Sequence, residues 1–141
     1  MIRAIAREKP ALCFFLGDGE RDLAAVQSRY PQLPFYAVRG NCDPRSTLSA
    51  SLTATLGGVC VFATHGHLYE VKHEPDLDSL LRAAEEAGAS LALFGHTHHA
   101  ALEERGGITV LNPGSIGRSA RPCYALLSVD DGRIEADLKG V

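Results

Sequence analysis

The sequence predicts an α/β domain that opens as a parallel sheet and closes as an antiparallel one. Three observations predict it. Short, wholly apolar runs alternate with helical patterns through the first two thirds of the 141 residues, as in parallel strands joined by helical crossovers. From Ala100 onward, runs of strand length are separated by Gly106-Gly107 and Asp131-Gly132, dipeptides that suit tight hairpins. With 45% hydrophobic and 22% charged residues the composition is that of a globular chain, and residues 1–141 are read as a single domain with no linker or repeat.

Ile2, Ile5 and Ala6 form the end of a helix that Lys9-Pro10 stops, because Pro10 has no N–H to continue it. Ala11 to Leu16 follows as a continuous apolar strand of the kind buried on both faces. Leu23, Val26 and Tyr30 share one face of a helix closed by Pro31, and Phe35 to Val38 is the next strand, so strand, helix and strand make a parallel crossover. Ser51 to Leu56 and Val59 to Thr64 flank Gly57-Gly58 as a hairpin. Leu77, Leu80, Leu81 and Ala84 mark the clearest helix, with Asp76 as its N-cap and Gly88 just past its end. Leu91 to Phe94 is a buried strand, and Ala100 to Glu104, Ile108 to Leu111, Tyr124 to Val129 and Arg133 to Leu138 complete the antiparallel part.

Charge and composition exclude several function classes. Fourteen Lys and Arg against seventeen Asp and Glu, with no basic cluster longer than two residues, leave no footprint for dedicated nucleic-acid binding. No apolar run approaches the roughly 20 residues needed to cross a bilayer, and no signal-peptide core is present, so a cytoplasmic chain without membrane association is expected. Cys13, Cys42, Cys60 and Cys123 lack any C-x-x-C pairing and read as reduced thiols, three of them in core strands.

Histidine is distributed very differently. Five of six fall in two groups, His65 with His67 and His96 with His98 and His99. Four apolar strands each run into a polar, glycine-containing turn: Gly17-Asp18, Gly40-Asn41, His65-Gly66-His67 and Gly95-His96-Thr97-His98. The crevice outside the carboxyl ends of strands is where open α/β sheets bind ligands. Taken singly, a Gly-Asp turn is usually a cap and Asn41 a turn residue; the four together, in order, point to a mixed oxygen and nitrogen metal site. In an extended segment His96 and His98 would point the same way and reach one metal.

The blocks Gly17-Asp18, Gly40-Asn41-Cys42-Asp43, Thr64-His65-Gly66-His67, Gly95-His96-Thr97-His98 and Asn112-Pro113-Gly114-Ser115 resemble the calcineurin-like metallophosphoesterase superfamily, in its YfcE-type phosphodiesterase branch. The resemblance implies a two-sheet β-sandwich flanked by helices, with its first strand missing here. It implies a phosphoesterase that hydrolyses a small phosphodiester by a metal-bound hydroxide, with manganese first among the candidate metals and Zn, Fe and Ni behind it. Asp18 would bridge two metals, with Asn41, His65 and His96 completing the second site and His98 belonging to the first. Asp18 and Asn41 would serve catalysis as well. Many superfamily members carry His where this chain has Cys42, and His67 is the candidate catalytic replacement. Asn112 to Ser115 would be a structural turn.

The resemblance also places a strand ending in Asp-x-His ahead of Ile2, and no Asp-x-His occurs in the sequence. The first metal then retains only Asp18 and His98, so one well-occupied metal and impaired activity are expected. A start codon placed too late is the favoured explanation; a true truncation and a catalytically weak protein-interaction scaffold of the same fold are the alternatives. The edge of Ala11 to Leu16 would be left unpaired, and a second copy in a homo-oligomer is expected to cover it.

Overall fold

A computed structural model describes residues 1–117 and 119–141. The chain runs α1 (Ile2–Glu8), β1 (Cys13–Phe15), α2 (Glu20–Arg29), β2 (Phe35–Ala37), β3 (Ser51–Leu56), β4 (Val59–Thr64), a 3-10 turn (His67–Tyr69), α3 (Asp78–Glu86), β5 (Leu91–Leu93), β6 (Ala101–Arg105), β7 (Ile108–Asn112), β8 (Cys123–Asp130) and β9 (Arg133–Gly140). Every strand expected from the apolar runs is present, with ends moved by one or two residues.

The core is a mixed five-stranded sheet in the order β3-β4-β5-β7-β6, in which β4, β5 and β7 are parallel and the two edge strands pair antiparallel. Side chains alternate across it, so its two faces bury different sets. Phe62, Ala92 and Val110 face Leu80 and Ala84 of α3, while Val61, Ala63, Leu91, Leu93 and Leu111 face the other way. On that second face lie two separate two-stranded pieces, the parallel pair β1-β2 and the antiparallel hairpin β8-β9. Phe14 and Leu16 from the first, and Ala125, Leu127, Val129, Ile134 and Ala136 from the second, cover the same apolar cluster. The architecture is thus the expected sandwich flanked by helices, with its second layer in two parts.

Three local readings are corrected. Ala11 to Leu16 is not sealed on both faces: within β1 only Phe15 is buried, and Cys13 and Phe14 are partly exposed. Among the described residues no disulfide joins the four cysteines; Cys42 is exposed and the other three are half-buried rather than sealed in the core. Asp76 does not cap α3. Leu77 occupies the N-cap with φ 56° and no side-chain cap, and the Glu74 carboxylate accepts from the Ser79 N–H and Ser79 Oγ–H instead, both at 2.8 Å. At the other end Gly88 performs as expected: its N–H reaches Glu85 and the Ala89 N–H reaches Ala84, a Schellman closure. The hairpin turns Gly57-Gly58, Gly106-Gly107 and Asp131-Gly132 all have positive φ at both central residues, the type I′ geometry that twists with the strands.

Helix α1 is tied to the β8-β9 hairpin. Glu8 accepts from Tyr124 Oη at 2.6 Å and from Lys139 Nζ at 3.2 Å, and Arg7 donates to the Gly140 carbonyl at 2.9 Å. Among the described residues no hydrogen-bonded ladder joins β1 to β8 or β9. No described helix is long and apolar enough to cross a membrane.

Candidate metal centre

The turns after β1, β2, β4 and β5 meet at one point, and His65 is its anchor. This side chain is 2% exposed, and its Nδ1 lies 2.6 Å from the Leu16 carbonyl oxygen, which can only accept. That contact assigns the proton of a neutral imidazole to Nδ1 and leaves a lone pair on Nε2. Around Nε2 stand Asn41 Oδ1 at 3.0 Å, His96 Nδ1 at 3.1 Å and Asp18 Oδ2 at 3.5 Å. Two of these neighbours are oxygens that only accept, so their electron pairs face that of Nε2 with no proton between, and His96 Nδ1 does the same in the tautomer protonated on its Nε2. A cation resolves that arrangement, and a set of two imidazoles, an amide oxygen and a carboxylate suits a divalent transition metal better than Mg or Ca. Among the described residues no three His, Cys, Asp or Glu side chains are by themselves disposed to hold a metal ion. The set converges only with the Asn41 amide included, and on one atom.

The approach of the loops is close. Gly17 has φ 90°, and a Cβ there would lie 2.6 Å from the Gly40 nitrogen and 2.8 Å from His65 Nδ1, so no other residue fits without displacing the anchor. Asp18 is itself left-handed at φ 61°. Its Oδ1 accepts the Cys42 N–H at 2.8 Å, which directs Oδ2 toward His65. Asp43 returns the contact with its whole carboxylate. Oδ2 accepts from the Asp18 and Gly40 amides at 2.8 and 3.0 Å, and Oδ1 from Gly19 and Glu20 at 2.9 and 3.2 Å. Burial alone would raise this carboxyl; the four amides outweigh it and hold it below the ordinary range.

His96 is held from the other side. Asn112, with no exposed surface, donates from Nδ2 to the Gly95 carbonyl and to Thr97 Oγ1, both at 3.0 Å, and its Oδ1 accepts the Gly114 N–H at 2.9 Å. Burial, then the charge of Lys72 and the neighbouring His65 and His67, pushes the His96 imidazole down to about 4, so it is a neutral electron-pair donor at pH 7. His67 lies with its ring 5.3 Å from that of His65 and 6.1 Å from that of His96. Its Nδ1 is buried without a hydrogen-bond partner, and desolvation, His65 and Arg39 together lower its pKa.

The structure therefore brings Asp18, Asn41, His65 and His96 together, with His67 beside them. It does not bring His98. His96 and His98 both adopt left-handed φ, 64° and 59°, so the segment is not extended and residues two apart do not share a side. His98 is exposed, and among the described residues no contact joins it to the cluster. The extended course expected for this segment is corrected on that ground. Sequence reasoning missed Asp43, which it quoted without a role, and gave Asn112 only a turn. A carboxylate two residues after Asn41 carries no local signal of reaching back to residues 18–20; only the parallel pairing of β1 with β2 puts it there.

The chain is similar to known proteins. Residues 1–132 match the calcineurin-like phosphoesterase superfamily domain. The chain is 36% identical over 137 residues to the Probable metallophosphoesterase YsnB of Bacillus subtilis (strain 168), covering 92% of this chain and 77% of that protein. It is 35% identical over 105 residues to Phosphodiesterase YfcE of Escherichia coli (strain K12), covering 67% of this chain and 52% of that protein, about half its length. The crystal structure of a conserved protein of Streptococcus pneumoniae TIGR4, described as a predicted phosphoesterase, superimposes with a TM-score of 0.81 at 28% identity over 98% of this chain and 79% of that one. Strand-end blocks, a metal-compatible donor set and a match across nearly all the chain agree: the chain belongs to the calcineurin-like phosphoesterase superfamily.

Proposed function

We propose that the chain is a metal-dependent phosphoesterase acting on a small phosphodiester, with one divalent transition metal, manganese first, held by Asp18, Asn41, His65 and His96. The convergence of Asn41 Oδ1, His96 Nδ1 and Asp18 Oδ2 on the lone pair of His65 Nε2 carries the reading. A divalent cation bound there would supply Lewis-acid stabilisation of the charge that develops on a phosphoryl oxygen.

The chain's own groups do the rest. The Leu16 carbonyl fixes the His65 tautomer, the kind of outer contact that orients metal-binding imidazoles. The Cys42 amide leaves Asp18 with one oxygen directed inward. His67, neutral at pH 7 and with Nδ1 unpaired, is the group placed to exchange a proton or a hydrogen bond with a bound phosphodiester. With His98 outside the cluster, no second ligand set is gathered among the described residues, which supports one metal equivalent.

Metal analysis of protein dialysed against excess Mn2+ should find one equivalent; two tightly held equivalents would refute the single-site reading. Parallel assays on a phosphodiester, a phosphomonoester and a carboxylic ester should show Mn2+-stimulated turnover of the first. Asp18→Asn and His96→Ala should abolish both binding and turnover; equal residual activity in both would instead favour an interaction scaffold. The edge of β1 away from β2, which no ladder covers among the described residues, is proposed to pair with a second copy, and a clean monomer at high concentration would count against that.

A further inference from the structure

We propose that Asp43 is a positioning residue for the metal centre, fixing the Asp18 and Asn41 loops in a single relation by accepting backbone N–H groups from both. This rests on the metal-centre reading above. The loops leave different strands, β1 and β2, and no side chain but Asp43 hydrogen-bonds to the amides of Asp18, Gly19, Glu20 and Gly40 among the described residues. Gly19 is the N-cap of α2 and Glu20 its first residue, so Asp43 also satisfies donors that the helix itself leaves open. Its own place is set by a tight turn, in which its N–H reaches the Gly40 carbonyl and its carbonyl accepts the Ser46 N–H.

The residue type follows from the count. Four N–H groups point at two oxygens, and only an ionised carboxylate offers acceptors at both ends with no donor. Asparagine would keep one oxygen and turn an NH2 toward two amides, setting donor against donor. The lock is also reciprocal: Asp43 holds the Asp18 amide while Asp18 Oδ1 holds the Cys42 amide, so each loop contributes a carboxylate to the backbone of the other. Release of one side frees the rotation of Asp18 and moves Asn41 relative to His65, which belongs to the other sheet. Loss of an outer contact of this kind weakens metal binding about 10- to 100-fold.

The test measures Mn2+ binding, with the metal alone, by calorimetry and by the spin resonance of free Mn2+. Asp43→Asn should bind Mn2+ about 10- to 100-fold more weakly than the unsubstituted protein. Leu80→Ala, a core deletion under α3 remote from the site, is the control; it should lose stability yet bind within twofold. If Asp43→Asn binds like the unsubstituted protein, or loses no more affinity than Leu80→Ala, the positioning role is refuted. If the unsubstituted protein itself binds no Mn2+, the metal-centre reading fails first and takes this one with it. A second measurement needs no variant to fold: in metal-free protein the amides of Asp18, Gly19, Glu20 and Gly40 should exchange slowly with solvent deuterium. Exchange of these four at the rate of an unstructured peptide would show that the lock does not form.

Discussion

Asn112 shows how far a single buried side chain can reach. It spends both amide hydrogens on the loop that carries His96 and its oxygen on the turn at Gly114, with nothing left for solvent. Asn112→Asp keeps the shape and replaces two donors by an acceptor facing the Gly95 carbonyl. It should cost about 1 to 3 kcal/mol, the range for a buried polar group left unsatisfied, read as a drop in the thermal midpoint. The histidines set a second residue-scale prediction. The His96 pKa falls from 6.5 to about 4 on folding and that of His67 falls as well, so between those limits the unfolded chain binds protons that the folded chain refuses. Metal-free protein should therefore lose stability as pH drops from 6.5 toward 4, and gain nothing from these groups above 6.5. Urea midpoints in a chelator, compared with those of His96→Gln, measure it; a flat profile across that window would be inconsistent with the cluster described here. The carboxylates of Asp43, Glu8 and Glu74, all held below their ordinary range, act at lower pH and with the same sign.

At the scale of the element, α3 separates two candidate caps. Asp76 stands where a cap residue would be read from sequence, yet its side chain is 88% exposed and only 3.9 Å from Arg105, a weak surface pair. Glu74, two residues earlier, makes the contacts. Glu74→Ala should lower the thermal midpoint measurably while Asp76→Ala leaves it nearly unchanged. Leu80→Ala, in the same helix and fully buried, should cost about 2 to 5 kcal/mol. The contrast marks what was legible. Strands and hairpins were, because apolar runs and paired glycines report backbone conformation locally. The cap was not, because Leu77 in a left-handed conformation bends the chain back and lets a more distant carboxylate reach Ser79. The same limit applies at the site. The polar groups at four strand ends could be read from order alone, but the non-extended course of the His96 to His98 segment came from two positive φ values, and the contacts of Asp43 and Asn112 from partners 15 to 25 residues away in sequence.

Over the whole molecule, the divided second layer has a thermodynamic consequence. Asp18 and Asn41 ride on β1-β2, whereas His65 and His96 ride on the five-stranded sheet, and the two sheets share side-chain contacts but no ladder among the described residues. A cation gripped by all four would act as a clasp between bodies that can otherwise part, so any motion lifting β1-β2 away must also expel it. Ligand at 100 times its dissociation constant adds about 2.7 kcal/mol against such an opening, a hundredfold in the population of the open form. Deuterium exchange at Cys13 and Val38, whose N–H groups reach the Pro34 and Phe15 carbonyls across the β1-β2 pair, should slow by that factor when Mn2+ is added, while the amides of β6, whose fraying leaves the clasp intact, should keep their rates. The metal would then govern breathing on one side of the sandwich and leave the other to its own packing.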